Sequence, residues 1–113
     1  MDETIYSTSP IGKRLESIKR RDSYCLLFQG KKIPLVAKVS IGRDRTNCIT
    51  IENALVSRWH AELHKIKEDY YIRDLYSSNG TFLNGKKIKP NKYYKVAVDD
   101  TIGIANTELK IIL

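Results

Sequence analysis

The densest chemistry in this sequence sits in SRWHAELH, residues 57–64. Ser57 stands three residues before His60, and Asp74 further along completes the residue types of a Ser-His-Asp hydrolase. Such a triad is defined by geometry, and Ser57 lacks the Gly-x-Ser-x-Gly elbow that presents a nucleophile at a strand-to-helix turn. His60, Glu62 and His64 alternate, so on a strand they would share one face and could bind a metal. Their spacing is not that of the helical His-Glu-x-x-His motif, and polar alternation is ordinary on a solvated strand face. We therefore expect no catalytic residue, no metal and no other cofactor. Gly42-Arg43 is too short for a nucleotide-binding loop.

A second group of residues suits a phosphate dianion. Arg43 follows Gly42, which permits a tight backbone turn, and its planar guanidinium offers a fork of donors to phosphate oxygens. Ser57 and Arg58 end the next inter-strand loop, where a hydroxyl, a backbone N–H and a second guanidinium can meet the same charge. Taken singly, each reads as an ordinary turn residue. Together they define a candidate phosphate site if both loops leave the same end of the fold, which pattern alone does not settle. The charge balance has the right sign: 20 Lys and Arg against 13 Asp and Glu give +7. That sign suits phosphorylated protein, acidic lipid or nucleic acid alike. The runner-up reading is a basic nucleic-acid-binding β-domain. Against it, the basic residues scatter through turns and the N-terminal stretch, and no aromatics interleave with Arg as on a single-strand platform.

The elements that must carry these residues are strands. From Tyr24 onward the apolar residues come in short runs such as YCLLFQ, IPLVAKVSI, CITI, YYIRDL and ELKIIL, rich in β-branched and aromatic types. Turn signals such as GRDRTN, KEDY, SSNG, NGKK and VDDT separate them at roughly eight to twelve residues, the rhythm of an all-β sandwich or barrel. We expect two antiparallel sheets face to face, with function on the loops at one end. A length of 113 residues fits one domain. Residues 1–22 read as a flexible tail and 23–113 as the domain, since the tail offers few apolar side chains; Leu15 and Ile18 make at most one face of a short helix. No run approaches a membrane span and no apolar signal-peptide core opens the chain, so a cytoplasmic protein without a membrane partner is expected. Cys25 and Cys48 lack metal-ligand spacing and read as reduced packing residues.

One stretch has more turn chemistry than a sandwich needs. SSNGTFLNG, residues 77–85, holds two Asn-Gly pairs, each able to reverse a chain because Asn tolerates positive φ and Gly adopts it freely. Only Thr81, Phe82 and Leu83 lie between them, about 10 Å of extended chain.

SIGRDRTNCITIENALVSRWHAEL followed by YYIRDLYSSNGTFLNGKKI resembles the forkhead-associated domain, a phosphothreonine-recognition module, of a small bacterial type. Three motifs match in order: Gly-Arg at 42–43, Ser-Arg-x-His at 57–60, and Asn-Gly-Thr with Asn-Gly at 79–85; the likeness runs from Tyr24 to Leu113. It implies an eleven-stranded antiparallel β-sandwich that carries Gly42, Arg43, Ser57, His60, Asn79 and Gly80 on the loops of one apical face. By this resemblance Arg43 and Ser57 hold the phosphate with help from Arg58. Asn79, assisted by Ser78, bonds the ligand backbone, and Gly42, His60, Gly80 and Asn84 support the loops. The implied partners are a phosphothreonine protein or peptide and the Ser/Thr kinase that makes it. The chain's own tail, phosphorylated at Thr8 or Thr4, is a further implied ligand. Tyr76 stands where the family usually has Gly and Ser78 where it has Thr. In this frame the three-residue strand is a brace for the first turn, with Phe82 expected as its anchor in the core.

Overall fold

Side chains of a strand point alternately to opposite faces, and burial in this chain follows that period. The computed structural model describes residues 24–113; the tail at 1–22, with Thr4 and Thr8, lies outside the described residues. Eleven strands follow one another among the described residues: β1 Cys25–Phe28, β2 Lys31–Pro34, β3 Lys38–Gly42, β4 Ile49–Thr50, β5 Ala61–Ile66, β6 Asp69–Asp74, β7 Thr81–Leu83, β8 Lys86–Lys87, β9 Tyr94–Val96, β10 Thr101–Ile104 and β11 Thr107–Ile112. In β6, Tyr70, Ile72 and Asp74 are buried while Asp69, Tyr71 and Arg73 are partly exposed. β1 and β10 alternate in the same way.

The strands form two sheets, in the orders β9-β6-β5-β3-β4 and β2-β1-β11-β10-β7-β8. Leu26, Ile102 and Leu109 from one inner face meet Ile41, Leu63 and Ile72 from the other in a single core cluster. Each such side chain, fully buried, stabilises the fold by about 1.5–3 kcal/mol relative to exposure. The expected sandwich is therefore the observed one. Among the described strands the one parallel pair is β3 with β4, where Ile41 stands opposite Ile49 and Gly42 opposite Thr50. Because β4 is only two residues long, a short loop that doubles back suffices, and no long crossover is needed.

Three local expectations change. In β7 the buried residue is Thr81, whereas Phe82 is partly exposed and pairs with Gly103 and Lys87. Ile102 and Ile104 flank Gly103 and point inward, so Phe82 lies on the outer face and is not the core anchor. Cys48 is exposed rather than packed, because Ile49 takes the inward position beside it. The two Asn-Gly pairs also differ. Asn84 and Gly85 have φ of +51° and +83°, as a two-residue hairpin between β7 and β8 requires, whereas in the first pair only Gly80 is left-handed, at +88°.

The ends of the sandwich are distinct. Ile112 pairs with Cys25, so Tyr24 and Leu113 lie at one end. Leu35 N–H donates to the Tyr24 carbonyl at 3.0 Å, which puts the start of β3 at that end and Gly42 at the other. The connections 43–48, 51–60, 75–80 and 88–93 gather at the Gly42 end, here called apical.

Candidate functional site

Gly42 closes β3, and a steric reason demands glycine. A Cβ there would sit 2.1 Å from the Arg58 carbonyl oxygen, so the backbone of the 51–60 loop passes directly against it. This approach joins two loops. Arg43 N–H donates to the Ser57 carbonyl at 3.0 Å and Asp44 N–H to the Arg58 carbonyl at 3.2 Å. The buried Asn47 adds Nδ2 bonds to the Asp44 carbonyl at 2.8 Å and the Arg58 carbonyl at 2.7 Å. The condition that pattern left open is met: Arg43 and Ser57 stand side by side on one end of the sandwich.

Arg43 Nε donates to the Val56 carbonyl at 3.0 Å, which fixes the guanidinium at its base. Neither Arg43 nor Arg58 pairs with a carboxylate among the described residues. Ser57 Oγ accepts the Ser78 N–H at 3.0 Å, which leaves its own O–H to donate. Asn79 Nδ2 donates to the Leu55 carbonyl at 2.8 Å. Arg43, Ser57, Arg58, Ser78 and Asn79 are thus brought together on three bridged loops, and four of them are exposed while Ser57 is partly so.

His60 is fully buried and joins these loops from below. Its Nδ1 accepts the Ser57 N–H at 3.1 Å, and Nε2 lies 2.9 Å from the Gly80 carbonyl. A carbonyl only accepts, so Nε2 carries the proton and the ring is a neutral clamp between residues 57 and 80. Its basic nitrogen is engaged by a backbone amide, not by the Ser57 hydroxyl. Asp74 is engaged elsewhere: it accepts the Ser77 N–H at 3.1 Å, the Ser77 hydroxyl and the Thr81 hydroxyl at 2.7 Å. Ser77 Oγ in turn accepts the Gly80 N–H at 3.0 Å. The Ser57, His60 and Asp74 side chains are therefore all engaged in bonds that brace the loops.

Asn47, Asp74, Ser77 and Thr81 are supports that sequence reasoning missed. Asp74 and Ser77, three residues apart at the start of a turn, carried a legible signal, since Asp side chains bond backbone amides just ahead of them. For Asn47 only the local bond to Asp44 is of a kind that a sequence shows; its bridge to Arg58, eleven residues away, left no trace in the pattern. Asn84 supports the structure at a different place: its Nδ2 donates to Asp100 at 3.0 Å and its Oδ1 accepts the Thr101 N–H at 2.9 Å. Tyr76 takes φ +56° and is 72 % exposed, so it holds the left-handed conformation that Gly would adopt freely.

The alternating His60, Glu62 and His64 do not converge. Glu62 and His64 occupy the outer face of the β9-β6-β5-β3-β4 sheet, and among the described residues no three ligand-type side chains gather. Glu62 meets His64 Nε2 at 2.6 Å, the Arg73 guanidinium, and Lys38 Nζ at 3.7 Å. Burial pushes its carboxyl up, but hydrogen bonds from His64 and Arg73 outweigh that and hold it below the ordinary glutamate value.

The description FHA domain fits residues 39–105, more than half of the chain. The chain belongs to the FHA domain family. Among solved FHA structures, the MEK1 FHA domain in complex with a phosphothreonine peptide of HOP1 shares 27 % identity at a TM-score of 0.71, over 80 % of this chain and 96 % of that one. Mycobacterium tuberculosis EmbR, in complex with a low-affinity phosphopeptide, shares 27 % identity at 0.76, over 89 % of this chain and 29 % of that one. A probable serine/threonine-protein kinase of Dictyostelium discoideum is 46 % identical over 43 residues, 38 % of this chain and 3 % of that protein. The FHA chain thus matches a small part of the length of its curated relatives. Among the described residues no helix is long and apolar enough to cross a membrane.

Proposed function

We propose that this FHA domain is a non-catalytic module of kinase signalling that binds phosphothreonine-containing protein or peptide. The observation that carries this reading is the bridged pair of loops. Arg43, anchored at Nε, and Ser57, with its hydroxyl proton available, stand together without a carboxylate partner among the described residues. In this reading Arg43 and Ser57 grip the phosphate, Arg58 adds a second guanidinium, and Ser78 and Asn79 bond the ligand backbone. Gly42, His60, Gly80 and, at a distance, Asn84 hold the frame. The solved relatives support the ligand class: both structures described above hold a phosphopeptide. The module works in the cytoplasm beside a Ser/Thr kinase.

The deciding experiment is calorimetry with a phosphothreonine peptide, its phosphoserine twin and its unphosphorylated twin. Binding of the first alone, or strongly preferred, is expected, because one methyl in a fitted pocket is worth about 1–3 kcal/mol. Random DNA bound tightly at physiological salt, with no preference among the peptides, would instead establish the nucleic-acid reading.

We also propose that the phosphorylated tail serves as a ligand, with Thr8 preferred over Thr4. Thr8 stands sixteen positions before Tyr24. Tyr24 starts at the end away from the apical loops, so the tether must run the length of the sandwich, roughly 20 Å for strands of six residues. A flexible tether of this length spans typically about 20–24 Å.

A further inference from the structure

Between Asp74 and Asp99 the chain has no acidic residue and five lysines: Lys86, Lys87, Lys89, Lys92 and Lys95. Lys95 pairs with Asp69 at 3.6 Å. Lys86, Lys87, Lys89 and Lys92 are exposed and have no carboxylate partner among the described residues. The fold brings this strip to the candidate site. The Lys87 side chain lies over Gly80, where a Cβ would come within 2.6 Å of its Cε. The Asp74–Pro90 bridge and the 2.7 Å bond from Asn91 N–H to the Asp74 carbonyl hold the next lysines against the foot of the 75–80 loop. Asp74, the acid at that bridge, is buried and engaged by Ser77 and Thr81, and Glu62 beyond it is held by Arg73 and His64, so neither is free to neutralise the strip.

We propose that the lysine strip, with Lys87 at its head, is a second anion-binding element that selects phosphothreonine ligands carrying acidic groups two to four residues from the phosphothreonine. This inference rests on the phosphopeptide reading and concerns external ligands; the tail, with no acidic residue two to four positions from Thr8, relies on its tethering instead. The spacing follows from the chain. Ser57, at the phosphate, bonds Ser78, and Gly80 is two residues further, at most about 7 Å between Cα atoms. An extended ligand covers that span in two to three residues at roughly 3.3 Å each. The ammonium groups are solvated, so each acidic group of the ligand should improve affinity by up to about five-fold at low salt, and the gain should shrink as salt rises. A carboxylate and a second phosphate share this chemistry.

The test is a positional library of phosphothreonine peptides in the whole protein, with Asp, phosphoserine or the neutral isostere Asn placed singly from four residues before to four after the phosphothreonine. A preference for both anions over Asn at two to four residues, reversed to a preference for Asn in Lys87→Glu, is expected. Lys67→Glu makes the same charge change in the turn between β5 and β6, at the other end of the sandwich, and should keep the acidic preference. A preference for phosphoserine without one for Asp would narrow the ligand class to multiply phosphorylated peptides. Phosphate-dependent binding with no acidic preference, or a preference that survives Lys87→Glu, would overturn the inference and leave the phosphopeptide reading standing. Equal binding of phosphorylated and unphosphorylated acidic peptides, or of a DNA duplex, would overturn both.

Discussion

Arg43 shows how a single side chain is prepared for a charge it does not yet meet. Its Nε bond to Val56 fixes the guanidinium before any ligand arrives, which lowers the ordering cost of binding. Charge-assisted bonds of about 1.5–3 kcal/mol are expected from it, so Arg43→Ala should lower phosphopeptide affinity by about ten-fold or more while the fold stays intact. Calorimetry on the variant checks this, and equal affinity would remove Arg43 from the site. His60 should behave in the opposite manner. His60→Ala leaves the Ser57 N–H and Gly80 carbonyl without their partner, and a stability loss of about 1–3 kcal/mol is expected in denaturant unfolding. Glu62 gives the pH dependence of the fold. Its carboxyl is held below the ordinary value, so its stabilising effect is complete above the unfolded glutamate pKa and fades as pH falls through the lower folded one. Glu62→Gln should therefore destabilise the protein at pH 7 and make progressively less difference below about pH 4. A variant equally destabilised at both pH values would show that packing, not charge, holds Glu62.

At the scale of elements, the sandwich and its three motifs were legible because they rest on local rules. Period-two burial is written into YYIRDL, and the turn of Asn84 and Gly85 into its residue types. What stayed hidden depends on contacts distant in sequence. Nothing local distinguishes Asn47, which braces Arg58, or tells that Thr81 rather than Phe82 faces inward, since a three-residue strand is too short to show its phase. That the Arg43 and Ser57 loops meet was equally beyond pattern, because it is decided by Gly42 passing under the Arg58 carbonyl. This contact gives a prediction for the loop pair as a unit. Gly42→Ala must push the 51–60 loop away, so both stability, by about 1–3 kcal/mol, and phosphopeptide affinity should fall together. Amide shifts confined to residues 42–43 would refute the coupling; shifts that reach Ser57 and His60 are expected.

For the molecule as a whole, core and candidate site are separated. The Leu26–Ile41–Ile102 interior sits between the sheets, and the site rests on loops that need only be carried by it. Ligand binding should consequently vary with pH through the ligand more than through the protein. The second phosphate pKa is near ~6, so affinity should weaken as pH drops below that value while the domain stays folded. The tail acts at the same scale. Tethering supplies an effective concentration on the order of mM, so phosphorylation at Thr8 should shift the amides of Arg43, Ser57 and Asn79 and reduce capture of external phosphopeptide. Unchanged capture would show that the tail is no ligand. Finally, Tyr24 and Leu113 lie together at the end away from the apical loops. That polarity has a practical side: whatever is joined at Leu113, a neighbouring domain or the linker to a sensor chip, attaches behind the site and leaves it facing outward. Surface-immobilised protein coupled through Leu113 should therefore capture phosphopeptide with the affinity found in solution, without a spacer.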